Sequence, residues 1–174
     1  FRRKLENDVD GHQFNRHLLP FSHRGGVQTL NQTSARLRLT NAQDYEDWLS
    51  RMNKIGTVVD QAIARAERGR KDGYMPPAVL MQRIPDQIAT QLVETGSDSP
   101  FYEEFAEMPD SISAEDQQRL RADAIETIET IVVPAYRELA RYFGKTYLPG
   151  SRQSVGLSEL PNGSTWYEFL ARSF

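Results

Sequence analysis

Cysteine is absent from the chain. That excludes a disulfide framework, a cysteine-ligated zinc centre and a thiol nucleophile, but it does not fix the compartment. Histidine is scarce: only His12, His17 and His23 occur in 174 residues. A zinc-peptidase helix needs two histidines four apart with a glutamate beside the first. Here the gaps are five and six residues, and no acid follows either histidine. No stretch approaches the roughly 20 apolar residues of a membrane span, and no signal peptide is visible. Charge of one sign is also missing. The net charge is −3 with acids and bases interspersed. The clusters Arg2-Arg3-Lys4 and Arg68, Arg70, Lys71 are too small for a nucleic-acid face and read as solvated helix ends. Gly25-Gly26 is too short to cradle a phosphate, and no serine, histidine and acid form a hydrolase constellation.

What remains is an ordinary globular composition, 39% apolar and 26% charged, and enough chain for one helical domain. Residues 1–10 read as a helix end closed by Gly11, a residue suited to the left-handed terminal position. Residues 12–39 have no helical period and form a long irregular segment. Thr40 and Gln43 have capping-box spacing. They open an amphipathic helix whose stripe runs from Tyr45 and Trp48 to Ala66, with Gly56 weakening its middle and Gly69 and Gly73 ending it. Pro76-Pro77 opens a further helix, kinked at Pro85, with an apolar stripe of Val79, Leu80, Ile84, Ile88, Leu92 and Val93. A short helix follows over Phe101, Tyr102 and Phe105. The longest element starts at Ser113, with Asp116 at the capping distance. It should bend at Pro134 and bury Ile128, Ile131, Val132 and Leu139. After Pro161-Asn162-Gly163 a last helix is capped by Ser164 or Thr165. No hairpin signal appears. The expected fold is all-α: a bundle of long kinked helices, one long irregular segment near the N-terminus, and little or no sheet.

Chemistry-bearing clusters are few. Glu103, Glu104, Glu107 and Asp110 read as a solvated acidic edge rather than a catalytic pair. Tyr136, Tyr142 and Tyr147 have core spacing. The chain opens on Phe1 rather than Met and stops in a helical stretch, so residues 1–174 read as one helical region, a fragment of a larger all-helical protein.

Several stretches in order are more distinctive than any one. They are Leu18-Leu19-Pro20-Phe21 with Arg24-Gly25-Gly26, Asp44-Tyr45-Glu46-Asp47-Trp48-Leu49, Gly73-Tyr74-Met75-Pro76-Pro77, Val133-Pro134-Ala135-Tyr136-Arg137-Glu138-Leu139, and Leu160-Pro161-Asn162-Gly163 before Trp166-Tyr167. Together they resemble the amino-terminal half of bacterial proteins in domain-of-unknown-function family 885. The resemblance implies a secreted or lipid-anchored parent, periplasmic or extracellular, that hydrolyses peptides with zinc. Its metal motif, His-Glu-x-x-Pro-Gly-His-His, does not occur here. This chain is then a non-catalytic wall of the substrate channel, with no catalytic residue, metal ligand or cofactor of its own. Zinc is expected in the other half, and the carboxy-terminal half and a peptide substrate are the implied partners. Within that reading Tyr74 and Arg83, beside the Pro76-Pro77 helix start, are the candidate substrate contacts. The alternative is a non-enzymatic helical module of an envelope protein that binds a partner.

Overall fold

The computed structural model describes residues 2–173, with side chains other than those of Arg2, Arg3, Lys4, Glu6, Asp8, Ala35 and Ser173. The Arg2-Arg3-Lys4 cluster therefore lies outside the described side chains. Nine α-helices are seen among the described residues: α1 Arg2–Gly11, α2 Ala42–Met52, α3 Ile55–Lys71, α4 Ala78–Met81, α5 Ile84–Ala89, α6 Glu103–Ala106, α7 Ala114–Thr127, α8 Val133–Tyr142 and α9 Gly163–Ser173. No strand is present among those residues. The extended contacts are two isolated bridges, Ser22 with Gly25 and Pro77 with Arg152. The all-α expectation holds.

The longest element is one helical run from α7 through α8. Ser113 caps it by accepting from the Asp116 N–H. The stretch Ile128–Val132 is wound as a π-helix, and α8 starts immediately after it with Pro134 in its first turn. Proline has no N–H and its ring crowds the carbonyl four residues back. A wide turn at this point accommodates that carbonyl, so the irregularity is a π-bulge of the kind that commonly interrupts helices. A second π stretch, Phe143–Tyr147, ends the run. Ile128, Val132 and Leu139 are fully buried, while Ile131 is only half-buried.

The expected single helix from residue 40 is two helices, α2 and α3, broken at Asn53-Lys54. Its cap is Asn41, not Thr40: the Asn41 side chain accepts from the Asp44 N–H. The Asp44 carboxylate in turn accepts from the backbone N–H and hydroxyl of Thr40. The Pro76-Pro77 helix also divides, into α4 and α5, with Pro85 in the first turn of α5. Val79, Leu80 and Leu92 of its expected stripe are exposed and Met81 is buried instead. Two turn assignments shift as well. Gly11 is right-handed (φ −65°), and the left-handed position is Asn15 (φ 51°). Asn162 (φ 57°) makes the turn before α9, its carbonyl accepting from the Trp166 N–H, so Ser164 and Thr165 lie inside the helix.

The core gathers α2, α3, α5, α7 and α8 around aromatic contacts: Trp48 on Phe101, Tyr45 on Phe105, and Phe21 against Phe143 and Tyr147. The segment between α1 and α2 has little regular structure beyond 3-10 turns, yet it is anchored by buried Phe14, Leu18, Phe21 and Val27. Glutamines tie it to α5 and to the turn that follows it. Gln28 donates to Ser22 O and to Gln87 Oε1, Gln87 donates to His23 O, and Gln91 donates to Asn31 Oδ1.

Candidate functional site

The segment carrying Tyr74 and Arg83 is built by a tight reversal after α3. Gly73 takes φ 80°, a conformation that costs a side-chain-bearing residue dearly, and the Tyr74 N–H returns to the Gly69 carbonyl. Tyr74 is 4% exposed. Its hydroxyl oxygen accepts from Asn15 Nδ2 at 3.2 Å, which fastens the irregular segment to the turn. Arg83 sits between α4 and α5 and is exposed. The two do not line a common cavity among those described.

Arg152, which the sequence reading did not single out, organises this region. Its backbone pairs with Pro76 O and Ala78 N. Its guanidinium donates to the carbonyls of Met75, Ser154 and Gly156. An arginine offers five donors in a planar fork, and here they gather carbonyls of two loops rather than a carboxylate. Nothing in the local sequence marks it, because the loops meet only in the fold.

Two of the three histidines come together. His12 and His17 line a cavity of about 490 Å³ between the N-terminal turns and α9, with Arg16 on the same wall and Trp166, Phe169 and Leu170 opposite. The nearby arginine cation disfavours a second cation there. Among the described residues no group of three or more His, Asp or Glu side chains is placed to hold a metal ion. The residues present do not fit a zinc centre. The acidic edge is as expected: Glu103, Glu107 and Asp110 are exposed and Glu104 is half-buried. A larger depression of about 620 Å³ between α2 and α7 holds Arg119, whose guanidinium is taken up by Glu46, Asp116 and Asp123.

The family described as bacterial protein of unknown function (DUF885) matches residues 1–174. The chain belongs to this family. No curated protein matches it. Among solved structures, the crystal structure of a candidate lipoprotein from Colwellia psychrerythraea superposes with a TM-score of 0.67 at 19% identity, over 82% of this chain and 24% of that one. At that identity the likeness is one of fold. The DUF885 chain thus spans about a quarter of the length of that neighbour. Among the described residues no helix is long and apolar enough to cross a membrane.

Proposed function

We propose that this DUF885 chain is the non-catalytic helical part of a larger, zinc-dependent hydrolase of peptides in the bacterial envelope, where it forms core and wall of the substrate channel. The observation that carries the reading is a surface suited to being covered. Large apolar side chains stand out on elements at opposite places in the sequence: Leu5 (49% exposed) and Val9 (69%) on α1, Val79 (56%) on α4 and Tyr167 (64%) on α9. Further chain packed on these faces would bury them, at about 25 cal/mol for each Å² removed from water. The structural neighbour, of whose chain only 24% is matched, accords with such further chain.

In this reading zinc would be held by residues of the rest of the polypeptide, where it would supply Lewis-acid polarisation of a carbonyl and an activated water. The chain's own residues position the peptide. Arg83, exposed between α4 and α5, offers a guanidinium to a backbone carbonyl or terminal carboxylate, and buried Tyr74 braces the reversal after α3 through Asn15. The test is hydrolysis of a peptide library by the longer polypeptide. We expect turnover abolished by a chelator, none from residues 1–174 alone, and a loss of kcat/KM of about tenfold or more in Arg83→Ala. Wild-type kcat/KM in both Arg83→Ala and Tyr74→Phe, with melting unchanged, makes the motif structural. The second reading is a non-enzymatic module that binds a partner through the same apolar faces; a longer polypeptide that cleaves nothing in the library supports it.

A further inference from the structure

The groove between the irregular segment and the α2–α3 junction has a use that neither reading above assigns. At its centre is an apolar slot of about 300 Å³, floored by Trp48, Met52, Ile55 and Phe101. Arg51 and Lys54 also line it, and no acid does. Both cations are exposed, and neither has an ion pair among those of the described residues. Arg51 stands in the last turn of α2, where the orphan carbonyls already favour a cation, and Lys54 is the N-cap residue of α3.

Trp48 supplies an independent observation. It is 4% exposed and stacked on Phe101, yet its indole Nε1–H is enclosed with no acceptor. An indole nitrogen can only donate, and buried polar groups without partners are rare enough to need an explanation. Its ring lines both the slot and an adjoining polar depression that also contains Arg51. The carboxylates of that depression are engaged: Asp44 by Thr40 and Asn41, Asp47 by Gln43. At the other end the slot shares Leu30 and Thr33 with a second polar depression containing Arg24 and Arg36 and no acid.

A hydrophobic hole with Arg51 and Lys54 at its wall, neither in an ion pair although Lys54 also borders the α2–α7 depression of Glu46, Asp123 and Glu126, fits an apolar group beside an anion. The polar depressions at both ends give an extended backbone somewhere to run, which a simple hydrocarbon chain would not use. We propose that this groove binds the C-terminal residue of a peptide. Its large apolar side chain fills the slot and its free carboxylate lies between Arg51 and Lys54. The preceding residues run past Leu30 and Thr33 toward Arg24 and Arg36, away from Asp44 and Asp47.

The inference takes its ligand class from the peptide reading above, but the test reads binding without cleavage, so the two can fail separately. Residues 1–174 contain two tryptophans, and within that stretch Trp166→Phe leaves Trp48 as the one indole reporter. Titration with Ala-Ala-Ala-Phe should give a saturable change in Trp48 emission. Its C-terminal amide should bind about tenfold or more weakly, as should the acid to R51A/K54A, because charge-assisted hydrogen bonds are lost. Val58→Phe, at the slot wall, should block the site, and decanoate should bind more weakly than the peptide. Equal affinity for acid and amide, no effect in R51A/K54A with its melting unchanged, tighter binding of decanoate, or no binding of the peptide would each overturn the proposal.

Discussion

Tyr136 and Tyr147 lie on the same helical run, both fully buried, but their hydroxyls meet different surroundings. Tyr136 donates to the Val27 carbonyl at 2.6 Å, whereas the Tyr147 hydroxyl has no partner among the described residues. Burial holds both phenols above their ordinary pKa. Removing one member of a buried hydrogen bond strands the other, at about 1–3 kcal/mol, while removing an unpartnered polar group is nearly neutral or stabilising. Urea unfolding should therefore show Tyr136→Phe losing about 1–3 kcal/mol and Tyr147→Phe losing nothing or gaining; equal losses would refute the distinction. Helical spacing placed both tyrosines in the core. It could not show which is bonded, since Val27 is 109 residues away in the segment without period. Glu67 gives a residue-scale pH prediction. The hydrogen bond from Arg70, reinforced by the charges of Arg70 and Lys71, holds its carboxyl down at about 2 from 4.5. A depressed carboxyl contributes stability above its unfolded value and loses it as pH falls through the folded one. Stability should drop between about pH 4.5 and 2, less steeply in Glu67→Gln, as read by urea midpoints across that range. Tyr142, whose hydroxyl bonds Glu67, is pushed up to about 12 chiefly by burial, so its contribution is present below pH 10 and lost as pH rises through about 12.

At the scale of the element, the sequence told helix from loop well and continuity poorly. The Ser113 cap, the Tyr45–Ala66 stripe and the long run through Pro134 were legible because each rests on local periodicity or a cap. The break at Asn53-Lys54 was not, since the apolar spacing continues across it. The exposure of Val79, Leu80 and Leu92 depends on which elements cover α4 and α5, and that is tertiary information. Glycines show the same limit. Gly56 and Gly69 both lie in α3, and composition treats them alike. A Cβ on Gly56 would meet only the Ile131 Cγ2 at 3.9 Å, an ordinary contact, whereas one on Gly69 would sit 2.3 Å from the Leu18 carbonyl oxygen. Gly56→Ala should stabilise by about 0.5–1 kcal/mol through helix propensity. Gly69→Ala should cost about 2–3 kcal/mol, because the irregular segment must lift off α3. Thermal melts of the pair decide this, and a gain in both would mean the Leu18 turn is free to move. The same close approach explains why Gly69 does not end the helix as its identity suggested: it lies within α3 as the place where another backbone crosses. The candidate contacts divide similarly. Gly73-Tyr74-Met75-Pro76-Pro77 was recognisable as a turn into a helix, but the carbonyl clamp of Arg152 that holds it was invisible, because the partners come from a loop 77 residues away.

Across the whole molecule, apolar burial is divided unevenly. One large cluster unites α2, α3, α5, α7 and α8 with Phe21 and Val27. A separate small one, Phe14, Leu160 and Trp166 with partly buried Leu19, Leu157, Phe169 and Leu170, joins the N-terminal turns to α9. Phe14 stacks on Trp166 with centroids 5.7 Å apart and touches Phe169, and the Leu18 turn over Gly69 links this end to the main core. Regions with few buried apolar contacts open at lower free energy than the global transition. The apolar faces of α1 and α9 stand at this same end, so the part of the DUF885 chain read as the seat of further polypeptide is also its least self-sufficient. Native-state hydrogen exchange should therefore show α9 amides exchanging through local opening, insensitive to low urea, while the buried amides of α7 and α8 exchange only on global unfolding. Trp166→Ala should speed α9 exchange by about tenfold or more and leave α7 and α8 protection unchanged. If α9 and α8 instead share one opening free energy, and Trp166→Ala lowers both equally, the two clusters behave as a single core. In that case α9 needs no covering partner to be held in place.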